Sequence, residues 1–371
     1  MKILYITTIG GTMRFFESLI KDLLDAGNVI DIATNEDDSK VPTCYREWNC
    51  KIWHISCTRS PLNSGNLKAV HEIRDILKNR NYDIVHCHTP IAAACTRFAC
   101  RSLRKKGVKV FYTAHGFHFY TGAPLKNWLL YYPIEKLCAH WTDVLITINK
   151  EDFKRAEEHL KAKKVIYIPG VGVDTEKFKS GLSERERIRK ELGIKDDQNM
   201  LLSVGELNVN KNHERVIRAI QGLEITYVIV GKGDMGEKLK EISNECGVDI
   251  RLVGYRNDVA DFYAAADFYI LPSLREGLNV SLMEAMASSL PCLVGNIRGN
   301  VDLVDAKGGY LFNPENVEDI RNSIEKAFSL STNQRREKGE YNSNKIRLFD
   351  LQNVKRATAE IYQGIDSTYN H

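Results

Sequence analysis

The chain has 371 residues, of which 43% are hydrophobic and 27% charged, and its formal net charge at pH 7 is +4. This length fits two or three domains with substantial cores, and the composition argues against a disordered chain. No apolar run approaches the roughly 18 residues expected of a membrane-spanning helix. The nine cysteines are scattered without a CxxC pair, and Met1 leads directly into a strand-like segment. These features predict reduced thiols in a cytoplasmic protein.

The charge is unevenly distributed along the chain. Residues 1–170 carry 25 Lys and Arg against 17 Asp and Glu, whereas residues 171–371 carry 27 against 31. A solvated helix end would explain the excess in the first half, and so would a surface that meets phosphates of lipid or nucleic acid. Much of the excess lies between residues 97 and 109, a stretch without an acid whose basic residues are Arg97, Arg101, Arg104, Lys105, Lys106 and Lys109.

Short β-branched segments alternate with amphipathic segments of helical length along most of the chain. In the first half the strand-like segments are KILYITTI, VIDIAT, KIWHIS, DIVHCHT, KVFYTAH, VLITIN and VIYIP. The alternation begins again after residue 198 with MLLSVGEL, ITYVIVG, IRLVGY, FYILPS and CLVGN. Such alternation predicts parallel sheets covered by helices on both faces.

Two series of this kind predict two doubly wound α/β domains, with residues 169–172 as the hinge. We therefore predict an N-terminal domain at residues 1–168 and a C-terminal domain at residues 169–345. Residues 346–371 form a predicted C-terminal helix that packs back toward the N-terminal domain. Open sheets of this class bind ligands at the carboxyl ends of their strands, so two sheets facing a central cleft predict binding loops after those strands.

The segment LPSLREGLNVSLMEAMASSLPCLV, residues 271–294, places two carboxylates on either side of a predicted loop. Glu276 precedes the loop, and Glu284 lies in the first turns of the following helix. Carboxylates are good acceptors for sugar hydroxyls and poor partners for phosphate. If both faced the cleft, they would accept hydrogen bonds from hydroxyls on opposite sides of a phosphate. The spacing alone is also explained by an ordinary early-turn acid at Glu284, favoured by the helix dipole.

Backbone amides and one cation in the same half of the chain suit a phosphate. Asn279 or Ser281 can cap the helix that follows the loop, and a helix N-terminus attracts phosphate. Lys211, in VGELNVNKNHERV, follows a strand and precedes a helix, where a cation can reach a diphosphate. An exposed lysine is the simpler alternative. The amides beside the predicted helix N-terminus belong to Gly277, Leu278 and Asn279.

The segment GKGDMG, residues 231–236, matches the GxGxxG pattern of dinucleotide-binding proteins, with Gly231 and Gly233 as its first two glycines. It follows a predicted strand and opens a predicted helix. The next strand, however, ends at Tyr255 and Arg256, without an acid for a ribose, and the segment is not the first βα unit of its domain. A tight turn that lines the cleft is therefore the better interpretation.

The N-terminal half contributes a glycine pair and a histidine at predicted strand ends. Gly10 and Gly11, in TIGGTMRFF, allow the backbone to approach an anionic ligand closely. His115, in YTAHGFHFYTGAP, ends a strand, which suits a residue that donates to or polarises a polar substrate. A structural histidine would explain His115 as well. His86 and His88 have no third ligand at a suggestive spacing, so a metal site is not predicted.

Taken together, these residues resemble a retaining glycosyltransferase of the GT-B fold, family 4. The segment EGLNVSLMEAMA is similar to that family's motif of two glutamates separated by seven residues. The segments IGG, DIVHCHT, TAHG, TINKED, PGVGVDTEKF, VGEL, NKN, IVGKGD and ADFYILPS occur in family order over nearly the whole chain. Within the family, the chain is most similar to bacterial enzymes of capsular or exopolysaccharide assembly.

The resemblance implies a role for each matching position. Glu276 would contact the hydroxyls of the donor sugar, Glu284 the nucleotide ribose, and His115 the anomeric side of the sugar. His115 and Glu276 would be the catalytic pair. The family needs no metal or cofactor, which agrees with the lack of an Asp-x-Asp pair. Other donor-binding positions are Gly277, Leu278 and Lys211 for the diphosphate, Gly254, Tyr255 and Arg256 for the base, and Gly10, Gly11, Gly231, Gly233 and Asn279.

One departure from the family pattern concerns the diphosphate. The family usually has Arg after the glycine that Gly205 matches, and here the residue is Glu206. A cation is therefore missing from its expected place in the donor site. Arg275, beside the first glutamate, is the predicted substitute.

These observations predict an enzyme that moves a sugar from a UDP-sugar to a saccharide carried on undecaprenyl diphosphate, with retention at the anomeric carbon. Its predicted place is the cytoplasmic face of the inner membrane, held to anionic lipid by the cluster at residues 97–109. No nucleic-acid recognition motif accompanies that cluster. A nonhydrolysing UDP-sugar epimerase and a non-catalytic nucleotide-sugar-binding protein are the alternatives, the latter because of Glu206.

Overall fold

A computed structural model describes residues 1–179 and 182–364 and divides the chain into two compact units. Unit 1 comprises Met1–Val171 together with the chain from Val354 onward, and unit 2 comprises Gly172–Asn353. The predicted domain boundaries, after residues 168 and 345, lie three and eight residues before these divisions. In the described part of the chain, no helix has both the length and the apolar character needed to cross a bilayer.

Unit 1 is built on one parallel sheet. Its strands are β1 (Lys2–Ile9), β2 (Val29–Asn35), β3 (Ile52–His54), β4 (Ile84–His88), β5 (Lys109–Ala114), β6 (Val144–Thr147) and β7 (Lys164–Tyr167). The strand order is β3-β2-β1-β4-β5-β6-β7, and every neighbouring pair is parallel. The helices are α1 (Glu17–Asp25), α2 (Cys44–Glu47), α3 (Gly65–Asn79), α4 (Pro90–Cys100), α5 (Leu125–Ala139) and α6 (Lys150–His159).

Both faces of this sheet are covered, which explains why its strands read as nearly continuous apolar runs. Because side chains alternate along a strand, Leu4 and Ile6 belong to one core cluster, whereas Ile3 and Tyr5 belong to the other. All four are fully buried. The core of unit 1 therefore has two layers with the sheet between them.

Unit 2 repeats the architecture. Its strands are β8 (Asn199–Val204), β9 (Ile225–Val230), β10 (Ile250–Gly254), β11 (Phe268–Leu271), β12 (Cys292–Gly295) and β13 (Gly309–Phe312), in the order β10-β9-β8-β11-β12-β13 and parallel throughout. Its helices are α7 (Leu182–Leu192), α8 (His213–Ala219), α9 (Gly236–Cys246), α10 (Val259–Ala265), α11 (Val280–Ala287), α12 (Asn300–Leu303), α13 (Val317–Phe328) and α14 (Thr332–Ile346).

Each predicted strand segment overlaps a strand of the structure, but the edge strand β13 was not predicted. It has only four residues, and two of them are partly or fully exposed. Its apolar run, residues 310–312, is shorter than the roughly four residues by which a buried strand is recognised, and one of these side chains is exposed.

The last helix, α15 (Leu351–Gln363), packs on unit 1 from Val354 onward. Val354, Ile361 and Tyr362 join the core cluster that contains Tyr5, and the Tyr362 hydroxyl shares a hydrogen bond with the Tyr5 hydroxyl. The prediction of a C-terminal helix covered residues 346–371, of which residues 365–371 lie outside the described part of the chain.

Each sheet has one topological switch point, where consecutive connections leave in opposite directions. In unit 1 it lies between β1 and β4, and in unit 2 between β8 and β11. The loops after such a pair of strands separate and leave a crevice at the carboxyl edge of the sheet. In unit 2 these are the loops that carry Lys211 and Glu276, so the topology selects the same residues as the motifs.

The basic stretch at residues 97–109 is not a continuous charged surface. Arg97, on α4, is fully buried and forms a two-pronged ion pair with Glu135 of α5, in which Nη2 lies 3.0 Å from Oε2. Arg104 is paired with Asp143 at 2.6 Å. The prediction that Arg97 belongs to a lipid-facing surface is therefore wrong, because its side chain is buried. The stretch itself does not show this, since the partner acid lies 38 residues away in sequence. Arg101, Lys105 and Lys109 are exposed, and the side chain of Lys106 lies outside the described residues.

Replacing Arg97 by Ala should destabilise unit 1 by about 3–5 kcal/mol, because the variant leaves the Glu135 carboxylate buried without its partner. The four tryptophans, at positions 48, 53, 128 and 141, all lie in unit 1, so their fluorescence during urea unfolding reports on this unit. Arg101→Ala is the matched control, since Arg101 is exposed and should change the stability by less than about 1 kcal/mol. Equal effects of the two variants would contradict a structural role for the buried pair.

Candidate active site

An ion pair joins the loops at the switch point of unit 2. Lys211 ends a 3-10 turn (Val209–Lys211) after β8, and Glu276 lies in the loop between β11 and α11. Lys211 Nζ is 2.8 Å from Glu276 Oε1, and their side chains are only 15% and 13% exposed. The cation predicted to bind a diphosphate and the carboxylate predicted to bind a sugar are therefore partners of each other in this structure.

Asparagine side chains hold these two loops together. Asn208 Oδ1 accepts from the Lys211 amide at 3.0 Å and so fixes the turn that presents the lysine. Asn210 Nδ2 donates to the Arg275 carbonyl at 3.0 Å, and the buried Asn212 donates to the Pro272 carbonyl, also at 3.0 Å. The register between the two loops is thus set independently of the Lys211–Glu276 contact.

The N-terminus of α11 has the geometry of an anion site. Asn279 is its cap, as predicted, with Oδ1 accepting from the Leu282 amide at 3.0 Å and from the Ser281 hydroxyl at 2.7 Å. Within the described residues, neither the Gly277 amide nor the Leu278 amide donates to a protein acceptor. Two amides beside a helix N-terminus are therefore available to an anionic ligand.

Arg298 and Gly299, which belong to none of the sequence motifs, pack against the backbone of this loop. Arg298 is buried, and its Nε donates to the Glu276 carbonyl at 3.2 Å. Gly299 has φ +80°, and a Cβ there would lie 2.0 Å from the Gly277 carbonyl oxygen. Both belong to the turn after β12, the strand next to β11. That adjacency was the signal that could have identified them.

Glu284 lies in the second turn of α11 and is bound by a tyrosine. The hydroxyl of Tyr263, on α10, donates to Glu284 Oε2 at 2.9 Å and also to the Ser281 carbonyl at 3.0 Å. Burial raises the pKa of the Glu284 carboxyl, while the hydrogen bond from Tyr263 and the charge of Lys177 oppose the rise. A partly buried carboxylate that accepts a hydrogen bond from Tyr263 retains capacity to accept further hydrogen bonds.

The glycines of GKGDMG allow the loops after β8 and β9 to pack closely. A Cβ at Gly231 would lie 1.8 Å from the Gly205 carbonyl oxygen, and one at Gly233 would lie 2.4 Å from the Leu207 carbonyl oxygen. The glycines are required by this backbone contact, which agrees with the interpretation as a tight turn rather than a dinucleotide site. Their predicted contact with a donor stays a prediction.

Glu206, which stands where the family usually has Arg, and Arg275, its predicted substitute, are both exposed. Glu206 accepts a hydrogen bond from Asn208 Nδ2 at 2.9 Å. The guanidinium of Arg275 has no hydrogen bond or ion pair among the described residues, although its backbone is tied to Asn210. Arg275 is therefore a cation next to the Lys211 loop whose charge none of the described residues neutralises.

In the loop predicted to hold the base, the two side chains differ. Arg256 Nη1 lies 2.6 Å from Glu191, and Arg256 Nη2 lies 2.8 Å from Asp258. These carboxylates raise the pKa of the Arg256 guanidinium and fix it to α7 and to the start of α10. Tyr255 is exposed. Of these two side chains, Tyr255 is the one available for contact with a base.

The remaining predicted residues lie in unit 1. Gly10 and Gly11 begin a 3-10 helix (Gly10–Phe16), where a Cβ at Gly10 would lie 2.5 Å from the Ser39 carbonyl oxygen and one at Gly11 would lie 2.2 Å from Ser39 Oγ. The pair is therefore needed for packing against the segment around Ser39. Contact of these glycines with a ligand stays a prediction.

His115 belongs to a cluster of three histidines at the carboxyl edge of the sheet. Its Nε2 is 3.1 Å from Nδ1 of His88, and the ring of His88 lies 4.2 Å from that of His86. His86 is hydrogen-bonded to Thr113 at 2.8 Å and to the hydroxyl of Tyr362. His88 Nε2 is buried and has no hydrogen-bond partner among the described residues.

Burial keeps these histidines neutral at physiological pH. It lowers the pKa of His115 to about 4 and that of His86 to about 3, with a smaller contribution to His86 from the charge of His115. The pKa of His88 is lowered well below its usual value for the same reason. Since His115 and His88 are neutral, one ring nitrogen of the pair donates and the other accepts, and this bond holds the plane of the His115 ring.

Over residues 1–179 and 182–364, no group of three or more His, Cys, Asp or Glu side chains is placed to hold a metal ion. The chemistry of the residues present is that of hydroxyl acceptors, one lysine and backbone amides. Independence of metals and cofactors stays a prediction.

Comparison with known proteins identifies the family. Residues 9–177 match the family model described as Glycosyltransferase Family 4, and residues 184–345 match the one described as Glycosyl transferases group 1. EpsD of Bacillus subtilis (strain 168), whose name assigns it provisionally to the glycosyltransferases, is 34% identical over 321 residues, covering 84% of this chain and 83% of that protein. The chain belongs to glycosyltransferase family 4.

A second relative has a name that states its donor and acceptor, and solved structures show the fold. A protein of Escherichia coli named UDP-Gal:alpha-D-GlcNAc-diphosphoundecaprenol alpha-1,3-galactosyltransferase is 31% identical over 70% of each chain. The crystal structure of Anabaena HepE with UDP and glucose aligns with a TM-score of 0.80 at 18% identity, over 98% of this chain and 100% of that one. WaaG, a glycosyltransferase of lipopolysaccharide biosynthesis, aligns with a TM-score of 0.75 at 20% identity, over 99% and 100%. These structures establish the GT-B fold of this glycosyltransferase.

The histidine cluster should make unit 1 of the enzyme sensitive to mild acid. Because the pKa of buried His86 lies near 3 when folded and about 6.5 when unfolded, the unfolded chain binds the additional proton. The corresponding stability is complete above about pH 6.5 and for His86 is lost as the pH falls toward 3, at about 1.4 kcal/mol per pH unit for each such histidine. Urea unfolding followed by tryptophan fluorescence at pH 7, 6 and 5 measures this slope.

His86→Gln should reduce the dependence of the unfolding free energy on pH by the contribution of one histidine, about 1.4 kcal/mol per pH unit. His71→Gln, at an exposed position, should leave this dependence unchanged. A slope in His86→Gln identical to that of the wild type would show that His86 does not titrate in this way.

Proposed function

We propose that this glycosyltransferase moves a sugar from a UDP-sugar, with retention at the anomeric carbon, to a saccharide carried on undecaprenyl diphosphate in the synthesis of a bacterial surface polysaccharide. The observation that carries the proposal is the pairing of Lys211 with Glu276 beside the free amides of Gly277 and Leu278. The name of the Escherichia coli relative supports the same donor and acceptor classes.

Donor binding exchanges one partner of Lys211 for another. A diphosphate is a stronger partner for a partly buried ammonium than a single carboxylate, since it carries more charge and more acceptor oxygens. When Lys211 turns to the diphosphate, Glu276 is released and accepts hydrogen bonds from the sugar hydroxyls. The amides of Gly277 and Leu278 complete the phosphate site, and the guanidinium of Arg275 supplies the charge that Glu206 does not.

Glu284 is proposed to bind the hydroxyls of the nucleotide ribose. Its carboxylate lies on the same helix whose N-terminus faces the phosphate, and Tyr263 holds it in one orientation. A carboxylate can accept up to about four hydrogen bonds, so the two hydroxyls of a ribose can be bound without displacing Tyr263. The exposed ring of Tyr255 is proposed to contact the base.

The transfer step needs no metal in this scheme. The bond between the anomeric carbon and the donor diphosphate breaks, the electron pair leaves with UDP, and the acceptor hydroxyl oxygen bonds to that carbon. The acceptor proton passes to the departing diphosphate, whose developing charge is stabilised by Lys211 and the amides beside α11. His115, as a neutral imidazole oriented by His88, is proposed to donate a hydrogen bond to the sugar.

Variants of the ion pair separate the two roles. Lys211→Met should lower kcat/KM for transfer by about 100- to 1,000-fold and weaken UDP binding, because a charge that stabilises the leaving group is lost. Glu276→Gln should lower transfer by at least about tenfold without weakening the binding of UDP, which lacks the transferred sugar and meets an unpaired Lys211. Calorimetric titration with UDP, together with initial rates, measures both effects.

Lys238→Met, on the exposed surface of α9, is the control for lost charge and should behave as the wild type. Near-normal transfer in both Lys211→Met and Glu276→Gln would remove the basis of these assignments.

Incubation with a panel of nucleotide sugars, with and without an undecaprenyl-diphosphate-linked saccharide, tests the reaction itself. We expect UDP release that depends on the acceptor, and a product whose anomeric configuration by NMR matches that of the donor. Isomerisation of a UDP-sugar without acceptor would indicate an epimerase, and tight binding without turnover would indicate a nucleotide-sugar-binding protein. Activity abolished by EDTA and restored by a divalent cation would contradict metal independence.

We further propose that the enzyme works at the cytoplasmic face of the membrane, where a lipid-linked acceptor is found. The exposed Arg101, Lys105 and Lys109 support an affinity for anionic lipid. With Arg97 buried and Arg104 paired, these residues are a weaker lipid anchor than the sequence suggested.

A further inference from the structure

A series of hydrogen-bonded polar side chains runs through the core of unit 2. The Ser203 hydroxyl donates to the Ile270 carbonyl at 2.6 Å and shares a hydrogen bond with the Tyr227 hydroxyl at 2.8 Å. The Tyr227 hydroxyl in turn lies 2.8 Å from Nδ1 of His213. All three side chains are buried. The series therefore leads from β11 through β8 and β9 to the first residue of α8.

The hydrogen atoms of this series have one arrangement. Burial lowers the pKa of His213 to about 3, with a smaller contribution from the charge of Lys211, so the ring is neutral at physiological pH. Because the single hydroxyl hydrogen of Ser203 goes to the Ile270 carbonyl, the Tyr227 hydroxyl donates to Ser203. The Tyr227 oxygen then accepts from Nδ1 of His213. Each member thus donates to the next, from α8 toward β11.

The surroundings of this series are apolar. Tyr227 belongs to a core cluster that also contains Leu201, Val216, Ile229 and Leu239. Burying polar groups costs desolvation, and replacing a bonded pair by apolar groups of the same shape is often neutral or stabilising. What a fully bonded network adds to a core is one defined geometry. The geometry that this network defines is the position of the first turn of α8 relative to the sheet.

The start of α8 is also the end of the turn that presents Lys211. Only Asn212 separates Lys211 from His213, and its backbone has φ +59°. The Asn212 amide donates to the Pro272 carbonyl at 3.0 Å and to the Pro314 carbonyl at 2.8 Å. Left-handed backbone at a residue other than glycine persists only where surrounding contacts hold it. Asn212 holds the turn to neighbouring loops, while His213 holds it to the sheet beneath.

The side chain of Lys211 depends on the same backbone segment. It lies over Gly205, where a Cβ would be 3.3 Å from Lys211 Cε. The backbone of Glu206, the next residue, contacts the His213 ring and opposes the lowering of its pKa. His213 is therefore next to both ends of the segment that carries the lysine. A displacement of the His213 ring would move this segment and the ammonium group with it.

We propose that His213, held by Tyr227 and Ser203, positions Lys211 for sugar transfer. None of the three contacts the donor in this scheme, so they are positioning residues. The inference rests on the proposed function, in which Lys211 stabilises the charge that develops on the leaving diphosphate. A shift of about 1 Å in such a group can cost up to about 100-fold in rate. The loss falls on kcat more than on KM, since the additional charge exists only in the transition state.

Tyr227→Phe tests the inference by removing one buried oxygen atom. It disconnects His213 from Ser203, so kcat should fall by about tenfold while the KM for the donor changes by less than about threefold. His213→Leu should lower kcat at least as much. His213→Asn should recover most of this loss, because its amide nitrogen is as many bonds from the backbone as Nδ1 and can donate to Tyr227. Initial rates with the donor and acceptor that turn over in the nucleotide-sugar panel measure these effects.

A double-mutant cycle shows whether the network acts through the lysine. With Lys211 present, Tyr227→Phe should also weaken the binding of UDP by about threefold, measured by calorimetric titration. In the Lys211→Met background, Tyr227→Phe should change UDP binding and kcat by less than about twofold, because the group that the network positions is absent. A purely structural role would give the same losses in both backgrounds.

Tyr82→Phe is the matched control. The buried hydroxyl of Tyr82 donates to Asp31 at 2.5 Å, so this variant loses a comparable hydrogen bond in unit 1. Both tyrosine variants should have a lower thermal unfolding midpoint than the wild type. Tyr82→Phe should nevertheless keep the wild-type kcat and UDP affinity, which separates lost stability from misplacement of Lys211.

Two results would overturn the inference and leave the proposed function intact. One is unchanged transfer in both Tyr227→Phe and His213→Leu while Lys211→Met is impaired. The other is a loss in Tyr227→Phe that is equally large with and without Lys211. Normal transfer and UDP binding in Lys211→Met would instead show that the donor assignment is wrong, and the inference would fail with it.

Discussion

The contact between Lys211 and Glu276 is the interaction on which the candidate donor site depends. It joins the loops after β8 and β11, which are adjacent parallel strands, so both loops leave the sheet at the same edge. Asparagine side chains fix the register of the loops, and the turn at Arg298 and Gly299 supports the glutamate from below. Each charge is neutralised by the other until a ligand offers a better partner. In the proposed mechanism, the groups of this site are in position before the donor binds, and reorganisation is limited to one exchange of partners.

Buried charge in unit 1 has a consequence at the surface. Arg97 is desolvated among the helices of one sheet face, and a buried guanidinium of this kind needs a carboxylate. Glu135 supplies it from α5, which removes both the cation of α4 and the acid of α5 from the exterior. What α5 then presents outward is leucine and lysine. One internal ion pair therefore converts an apparently mixed helix into a surface of one chemical character.

Much of the fold and part of the site were accessible from the sequence. The alternation of β-branched and amphipathic segments predicted two doubly wound sheets because burial on both faces leaves a continuous apolar run in each strand. The ordered motifs predicted family 4 and the neighbourhood of Glu276 and Lys211, while capping preference left Asn279 or Ser281 as the cap of α11, of which the structure has Asn279. β13 escaped prediction because it is a short, partly exposed edge strand. Arg298 and Gly299 escaped because their function is to pack under another loop, and no local pattern records such a contact.

The sequence by itself determined the class of most elements, the order of the strand-end motifs and the family, since these depend on periodicity and on short-range spacing. Only the tertiary structure decided which side chains are partners. Lys211 and Glu276 are 65 residues apart, Arg97 and Glu135 are 38 apart, and His88 and His115 are 27 apart. Each pair is brought together by strand adjacency or helix packing, and its energy depends on burial that exists only in the folded chain. For that reason Arg97 forms a buried ion pair, and helix α5, which the sequence patterns did not single out, carries four exposed large apolar side chains.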